Sequence, residues 1–240
     1  MTYVLSDIHG DKDRLENILR QIDLKPEDRL YVIGDVIDRK PYGIETLNLL
    51  LGMKNVTLML GNHELMMINT FSDWFDLSYH SPRFGNREAW EIWKQNGGRY
   101  TVSGLIGKTK TEIRDIIRTL NELPVLLEVE VNGKTFVLVH GSPLPEKHKD
   151  SYTPYDARSF MVWERITPDR ELYQDKIVIF GHTPTIHYQE DVEQLSFWHG
   201  ENRICIDCGC AYGDFTFGNR HYHGRLGCLR LDDMKEFYSD

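Results

Sequence analysis

The stretch TYVLSDIHG, residues 2–10, joins a short apolar run directly to a polar cluster that contains Asp7 and His9. The run at 2–6 is rich in β-branched and aromatic residues, which predicts a strand. Apolar residues then recur with helical spacing between 15 and 22, and a second β-rich run follows at 30–33. This order of strand, helix and strand indicates an α/β fold.

The arrangement at the first strand recurs four more times along the chain. Each later apolar run also ends in a polar cluster, and these clusters are GDVIDRK at 34–40, GNHE at 61–64, HGS at 140–142 and GHT at 181–183. A single Asp-x-His at a strand end is more often a turn or a cap than part of a metal site. The ends of parallel strands converge at one edge of a sheet, so five such clusters in order predict one shared site.

Residues 65–121 interrupt the alternation of strands and helices. They are aromatic and polar with little strand character, and near their end Thr109 and Glu112 have the spacing of a helix capping box. We therefore predict a mainly helical insertion at about 65–121, after the third strand. Strands resume beyond Pro124, and no linker or internal repeat is visible, so we expect residues 1–240 to form a single domain.

Composition excludes several classes of partner. Lys+Arg 28 against Asp+Glu 37 gives a net charge of −9, which disfavours a nucleic-acid partner. No apolar run approaches the roughly 20 residues needed to cross a bilayer, so we expect no membrane partner and a cytoplasmic protein. The cysteines are expected to be reduced thiols without a predicted role, and they are Cys205, Cys208, Cys210 and Cys228.

The polar clusters supply carboxylate, amide and imidazole groups, a mixed oxygen and nitrogen set that suits manganese, iron or zinc. One metal ion is expected to bind Asp7, His9 and Asp35. The second is expected to bind Asp35, Asn62, His140 and His182, so that Asp35 bridges the two ions. Metal pairs of this kind, ~3.5 to 4 Å apart, clamp the attacking and leaving oxygens of phosphoryl-transfer reactions.

With these motifs the chain resembles the phosphoprotein phosphatase branch of the calcineurin-like metallophosphoesterases, and in particular its small bacterial and phage serine/threonine protein phosphatases. The motifs SDIHG, GDVIDRK, GNHE, HGS and GHT, with IDCGCAYG and GCLRL near the end, carry the resemblance over nearly the whole chain. Ser6 and Lys40 depart from the family pattern, which has glycine at both positions. The resemblance implies a β-sandwich flanked by helices.

Further roles are expected for the residues beside the metal ligands. His63 follows Asn62 directly and is the expected general acid, with Asp38 orienting its imidazole, as the resemblance also implies. Arg39 is expected to grip phosphate oxygens through its planar guanidinium, together with Asn62. By resemblance, Arg165 is the second phosphate-binding arginine, with Arg158 as the alternative.

The resemblance implies a phosphomonoester hydrolase similar to serine/threonine protein phosphatases, with two divalent metal ions. Manganese is the first expectation, and iron or zinc are alternatives. In this mechanism a hydroxide that bridges the two metals attacks phosphorus directly. The substrate would be a phosphoprotein, a phosphopeptide or a small phosphorylated metabolite. Two alternatives stay open: a hydrolase of diadenosine tetraphosphate, and a non-catalytic binding protein built on a phosphatase fold.

Overall fold

The computed structural model describes residues 1–75, 86–189 and 192–240, and its centre is a pair of five-stranded β-sheets. The first sheet consists, in spatial order, of Lys235–Ser239 (β12), Leu226–Arg230 (β11), Thr2–Leu5 (β1), Arg29–Val32 (β2) and Val56–Leu58 (β3). The second consists of Leu126–Val131 (β4), Lys134–Val139 (β5), Lys176–Phe180 (β6), Arg203–Cys205 (β8) and Trp198–Gly200 (β7). Strands β1, β2 and β3 are parallel, as are β5, β6 and β8.

The two sheets pack face to face, and helices cover the outer face of the first. Along β1, Val4 belongs to the core between the sheets together with Leu138 and Ile179 of the second sheet. Its neighbours Tyr3 and Leu5 belong to the core beneath the helices. Successive strand residues point to opposite faces, so this burial pattern produces a β-sandwich flanked by helices, which confirms the predicted fold.

Helices connect the strands of the first sheet and form the insertion, and one more helix lies between β5 and β6 of the second sheet. The helices are Lys12–Ile22 (α1), Gly43–Leu51 (α2), Asn62–Phe75 (α3), Asn86–Gln95 (α4), Gly98–Leu105 (α5), Lys110–Asn121 (α6) and Pro154–Trp163 (α7). Asp11 caps α1 by accepting a hydrogen bond of 3.2 Å from the backbone N–H of Arg14. Thr109 and Glu112 form the predicted capping box of α6.

The helical insertion is confirmed for the described residues between β3 and β4. It begins earlier than expected, because α3 starts at Asn62, inside the GNHE cluster itself. The insertion packs on the helical core through Trp93, which is fully buried and contacts the rings of Phe71 and Trp90 edge to face. That residues 1–240 form a single domain stays a prediction.

The five polar clusters come from two sheets, because β1, β2 and β3 belong to the first and β5 and β6 to the second. Outside these sheets, the segment around His221 and His223 forms a hairpin of Asp214–Phe217 (β9) and Arg220–His223 (β10). The rings of Phe215 and Tyr222 stack across this hairpin and supply the apolar contact that a loop lacks.

All four cysteines are free thiols and all are buried. Burial raises the pKa of each thiol, to about 12 for Cys210. In the described part of the chain no helix combines the length and the apolar character needed to span a bilayer.

Candidate active site

Four of the five polar clusters line one pocket of about 100 Å³. His140 of the remaining cluster contacts two of the lining residues, Asp35 and Asn62. The backbone leaves the strands through left-handed conformations at six of the predicted site residues, namely Asp7, His9, Asp35, Asp38, Arg39 and His182. This conformation is strained for residues other than glycine, and such strain concentrates at functional sites. The pocket lining includes Asp7, His9, Asp35, Arg39, Asn62, Arg165 and His182.

Asp35 occupies the middle of the predicted metal ligands. Its Oδ2 atom lies 3.5 Å from Nε2 of His9, and its Oδ1 atom lies 3.3 Å from Nε2 of His140. The Oδ1 atom of Asp7 lies 3.9 Å from the same Nε2 atom of His9. The two oxygens of one carboxylate therefore face two separate groups of donor atoms, which is the arrangement expected of a bridging ligand.

The second group of donors surrounds Asn62. Its Oδ1 atom lies 2.9 Å from Nε2 of His140 and 2.9 Å from Nδ1 of His182. The structure thus brings together all six residues predicted as metal ligands.

Backbone carbonyl groups orient the three imidazoles. Nδ1 of His9 lies 3.0 Å from the carbonyl of Ile37, and Nδ1 of His140 lies 2.9 Å from that of Ile33. Nε2 of His182 lies 3.0 Å from the carbonyl oxygen of Trp163. A carbonyl oxygen can only accept a hydrogen bond, so in each ring the nitrogen beside the carbonyl carries the hydrogen. In a neutral ring the other nitrogen then has a free lone pair, which points into the site. Metal-binding histidines are commonly held this way.

Burial and neighbouring charges shift the titration of these groups. Burial raises the pKa of Asp7 to about 6. Burial lowers the pKa of His140, but the adjacent charge of Asp35 outweighs it and raises this pKa to about 10. Burial, with help from His140, lowers the pKa of His182 to about 3. Without a metal ion, the negative charge of Asp35 therefore keeps His140 protonated, so that the imidazolium supplies the positive charge of the cluster.

These observations fit divalent metal ions. The ligand set consists of carboxylate, amide and imidazole groups whose lone pairs converge on one place. A metal cation that displaces the proton of His140 would accept these lone pairs. Among the described residues, His63 also lies close to His9 and Asp35. Its Nε2 is 3.3 Å from the guanidinium Nη2 of Arg39, a fixed positive charge that disfavours a metal ion there.

His63 and Asp38 form the expected pair. Nδ1 of His63 lies 2.7 Å from Oδ2 of Asp38, and both side chains are buried. The imidazole of His63 packs edge to face on that of His9, with ring centroids 4.6 Å apart. The Nε2 atom that remains lies close to Arg39 and Asp35, two residues that line the pocket.

The two arginines predicted to bind phosphate both line the pocket. Arg39 lies against the ring of Tyr212, 5.4 Å from its centroid, and Arg165 lies 3.4 Å from the hydroxyl oxygen of Thr183. The alternative, Arg158, donates to the carbonyl of Asn121 and is not among the residues of the pocket. The structure therefore favours Arg165 over Arg158.

The two departures from the family pattern have local partners. The hydroxyl of Ser6 donates to Oδ2 of Asp7. Lys40 forms an ion pair with Asp11, the residue that caps α1.

Sequence reasoning missed Glu64 and Asp207. Glu64 accepts hydrogen bonds from the backbone N–H groups of Asp35, Val36 and Gly61, at 2.8 to 3.0 Å, and so joins the second cluster to the third. Asp207 lines the pocket just beyond β8, and burial raises its pKa well above the usual range. It also follows a parallel strand, so the rule that found the other five clusters applies to it.

Residues of the insertion also contact the site. The indole of Trp93 and the hydroxyl of Thr101 both donate to the carboxylate of Asp38. Gly97 adjoins Arg39, since its carbonyl accepts from the backbone N–H of Arg39 at 3.4 Å.

Curated proteins with related sequences include phosphatases of two kinds. Serine/threonine-protein phosphatase 2 of Salmonella typhimurium is 30% identical over 164 residues, 68% of this chain and 67% of that protein. The symmetrical bis(5'-nucleosyl)-tetraphosphatase of Erwinia tasmaniensis is 37% identical over 73 residues, and this match covers 30% of this chain and only 27% of that protein.

Solved structures share the fold. One that is provisionally assigned as a diadenosine tetraphosphatase superposes with a TM-score of 0.62 at 17% identity, covering 99% of this chain and 92% of that one. The cold-active protein-tyrosine phosphatase of a psychrophilic Shewanella superposes with a TM-score of 0.55 at 18% identity, covering 100% and 80%.

The family model described as calcineurin-like phosphoesterase matches residues 2–216, a range that contains all five polar clusters. The chain therefore belongs to the calcineurin-like phosphoesterases, a family of hydrolases that use a pair of divalent metal ions.

Proposed function

We propose that the chain is a metal-dependent phosphomonoesterase of the serine/threonine protein phosphatase type, with manganese as its metal. The observation that carries the proposal is the position of Asp35, whose two oxygens face separate groups of donors on either side. The absence of cysteine from the donor set, and its mixture of oxygen and nitrogen, suit manganese, with iron or zinc as alternatives.

When bound, the pair of divalent ions neutralises the charge of the phosphate and lowers the pKa of water in the pocket. The protein groups then divide the remaining tasks. Arg39 and Arg165 approach the pocket from different elements, and their guanidinium groups hold the phosphate oxygens through charge-assisted hydrogen bonds. Because the phosphate is held from two directions, its leaving oxygen has one orientation relative to His63.

His63 donates a proton to the leaving oxygen. Asp38 accepts from Nδ1, so the proton that is transferred sits on the other ring nitrogen, Nε2. Arg39 lies 3.3 Å from this nitrogen in the described structure, and a bound phosphate draws the guanidinium toward its own oxygens. Substrate binding thereby moves the guanidinium away from Nε2, so that this nitrogen is free to bond to the leaving oxygen.

The preference for a phosphorylated protein is supported by the length of the match to the Salmonella protein phosphatase. A match over 164 of 240 residues must span the middle of the chain, so it takes in the helices α4 to α6 of the insertion. The match to the tetraphosphatase covers 73 residues and cannot include both ends of the site. A net charge of −9 also gives little help in attracting a tetraphosphate.

The alternative substrate is a dinucleoside polyphosphate, which the same centre would cleave at a phosphoanhydride bond. The identity of 37% to the tetraphosphatase favours it locally. Its hydrolysis and that of a phosphopeptide need the same metal ligands, so only turnover distinguishes them.

The test is a panel of phosphoserine and phosphothreonine peptides and diadenosine tetraphosphate, assayed with manganese at one pH. Hydrolysis of the peptides is measured by phosphate release, and hydrolysis of diadenosine tetraphosphate is measured by chromatography of the nucleotide products. We expect a higher kcat/KM for the peptides. A clear preference for the dinucleotide would establish the alternative, and no turnover of any substrate by protein loaded with two metals would indicate a binding protein.

A further inference from the structure

We infer that Trp93 and Thr101, two residues of the helical insertion, are positioning residues for the general acid: they hold the carboxylate of Asp38, and through it the imidazole of His63. The inference rests on the proposed function, because it assumes that His63 protonates the leaving group. It adds that the insertion takes part in catalysis as the support of the acid.

The carboxylate of Asp38 is surrounded by donors from three directions. Its Oδ2 atom lies 2.7 Å from Nδ1 of His63 and 2.7 Å from the indole Nε1 of Trp93. Its Oδ1 atom accepts from the hydroxyl of Thr101. The same hydroxyl oxygen accepts the backbone N–H of Asp38 at 3.0 Å, so Thr101 holds both the main chain and the side chain of this residue.

The identity of the donors fixes the position of every hydrogen. An indole N–H can only donate, and the hydroxyl of Thr101 has one hydrogen, which goes to Oδ1 because its oxygen receives the backbone N–H. Asp38 is therefore the acceptor in both contacts. The third contact is then also a donation, from Nδ1 of His63. Nε2, which accepts from Nη2 of Arg39 in the described structure, is therefore the nitrogen left to take up the proton that the general acid transfers.

These hydrogen bonds are buried, and water cannot replace them. Asp38, Trp93 and Thr101 are each fully buried, so no water replaces a lost donor at the surface. Asp38 and Arg39 both have left-handed backbone, with φ of 73° and 65°. Such a backbone needs support from outside its own segment, and the insertion supplies it through Thr101 and the carbonyl of Gly97.

The variants Trp93→Phe and Thr101→Val each remove one donor and keep a side chain of similar shape. Thr101→Ser restores the hydroxyl and is expected to restore function. Trp90→Phe is the matched control, because Trp90 lies on the same helix and packs on Trp93 at 5.8 Å without being one of these donors. Thermal unfolding of each variant verifies that it is folded.

The kinetic measurement compares a poor leaving group, an alkyl phosphate, with p-nitrophenyl phosphate, whose leaving group needs no acid. We expect Trp93→Phe and Thr101→Val to lower kcat for the alkyl phosphate about 10-fold. The rate for p-nitrophenyl phosphate, and both rates of Trp90→Phe, should change less than about 2-fold. In a His63→Asn background, Trp93→Phe should not change the ratio of the rates for the alkyl phosphate and p-nitrophenyl phosphate any further. The imidazole through which Trp93 acts is absent from that protein.

A second measurement uses metal-free protein and proton NMR. The Nδ1 hydrogen of His63 and the indole hydrogen of Trp93, both bonded to one carboxylate oxygen, should resonate far downfield in the wild type and in Trp90→Phe. The signal of His63 should broaden or disappear in Trp93→Phe and in Thr101→Val, and return in Thr101→Ser.

The two measurements separate this inference from the function on which it rests. If His63→Asn slows both substrates equally, the general acid itself is wrong. If His63→Asn acts selectively but Trp93→Phe and Thr101→Val both leave the ratio of rates and the signal of His63 unchanged, the positioning role is overturned. Loss of activity equal for both substrates in these two variants would also overturn it, because that indicates a structural role.

Discussion

The backbone N–H of His63 donates a hydrogen bond of 3.0 Å to Oδ1 of Asp35. The carboxylate in the middle of the proposed metal centre thus also fixes the first turn of α3, which carries the proposed general acid. A change at Asp35 is therefore expected to affect both the metal ions and the general acid.

Replacing Asp35 with Asn removes the charge shared by the two groups of donors and keeps an oxygen for the N–H of His63. We expect the bound metal to fall below two ions per chain, with activity reduced at least ~100-fold, since even the outer partners of metal ligands contribute about 10- to 100-fold. Elemental analysis and phosphate release measure the two effects. Two tightly bound ions in the variant would refute the bridging role.

Replacing His63 with Asn removes the proton donor to the leaving oxygen. Alkyl phosphates should be hydrolysed ~10² to 10⁴-fold more slowly, the usual contribution of a general acid, and p-nitrophenyl phosphate should be affected far less. The comparison is made at equal metal content, measured for both proteins. Equal losses on the two substrates would exclude His63 as the acid.

Replacing Gly97 with Ala places a Cβ 2.9 Å from the backbone nitrogen and from Cγ of Arg39, so the arginine must move. Gly107→Ala is the control, because Gly107 also has a positive φ, 88° against 100°, but faces open space. Backbone strain should cost each variant about 1 kcal/mol of unfolding free energy. Gly97→Ala should lose more than Gly107→Ala, because its Cβ also displaces Arg39. Only Gly97→Ala should raise KM for phosphate esters, and equal KM values would show that Arg39 is not displaced.

Replacing Glu64 with Gln puts an amide group in place of an acceptor that receives buried backbone N–H groups from two loops. We expect the free energy of unfolding to fall by about 2 to 3 kcal/mol, as for a lost buried acceptor of this kind. Thermal or urea denaturation measures the change. Glu112→Gln, which alters an exposed capping residue, should lower stability by only about 1 kcal/mol or less.

The sequence predicts most of the candidate metal ligands because each one follows a strand directly. The ends of parallel strands lie close together, so these residues are expected to meet. The same rule applied to β8 would have found Asp207, which follows Arg203–Cys205 in the same way. Arg165 was preferred to Arg158 on resemblance, and the pocket contains Arg165. That one site would draw its clusters from two sheets could not be read from strand patterns, which do not show how strands are grouped.

The support of Asp38 could not be predicted from spacing. Trp93 and Asp38 are 55 positions apart, and an aromatic residue with helical periodicity has the same pattern whether or not its N–H has a partner. Glu64 lies inside a quoted motif, but its role depends on backbone N–H groups, which no side-chain pattern reveals. The hairpin of β9 and β10 is too short for its alternation to stand out from a polar loop.

The placement of Trp93, Gly97 and Thr101 within the insertion limits how this segment can be exchanged between relatives. A chimera that takes the whole of α4 and α5 from another phosphatase, in order to transfer its substrate preference, would also replace the partners of Asp38 and Arg39. Engineering of specificity therefore needs to change other residues of these helices and to retain the three anchors.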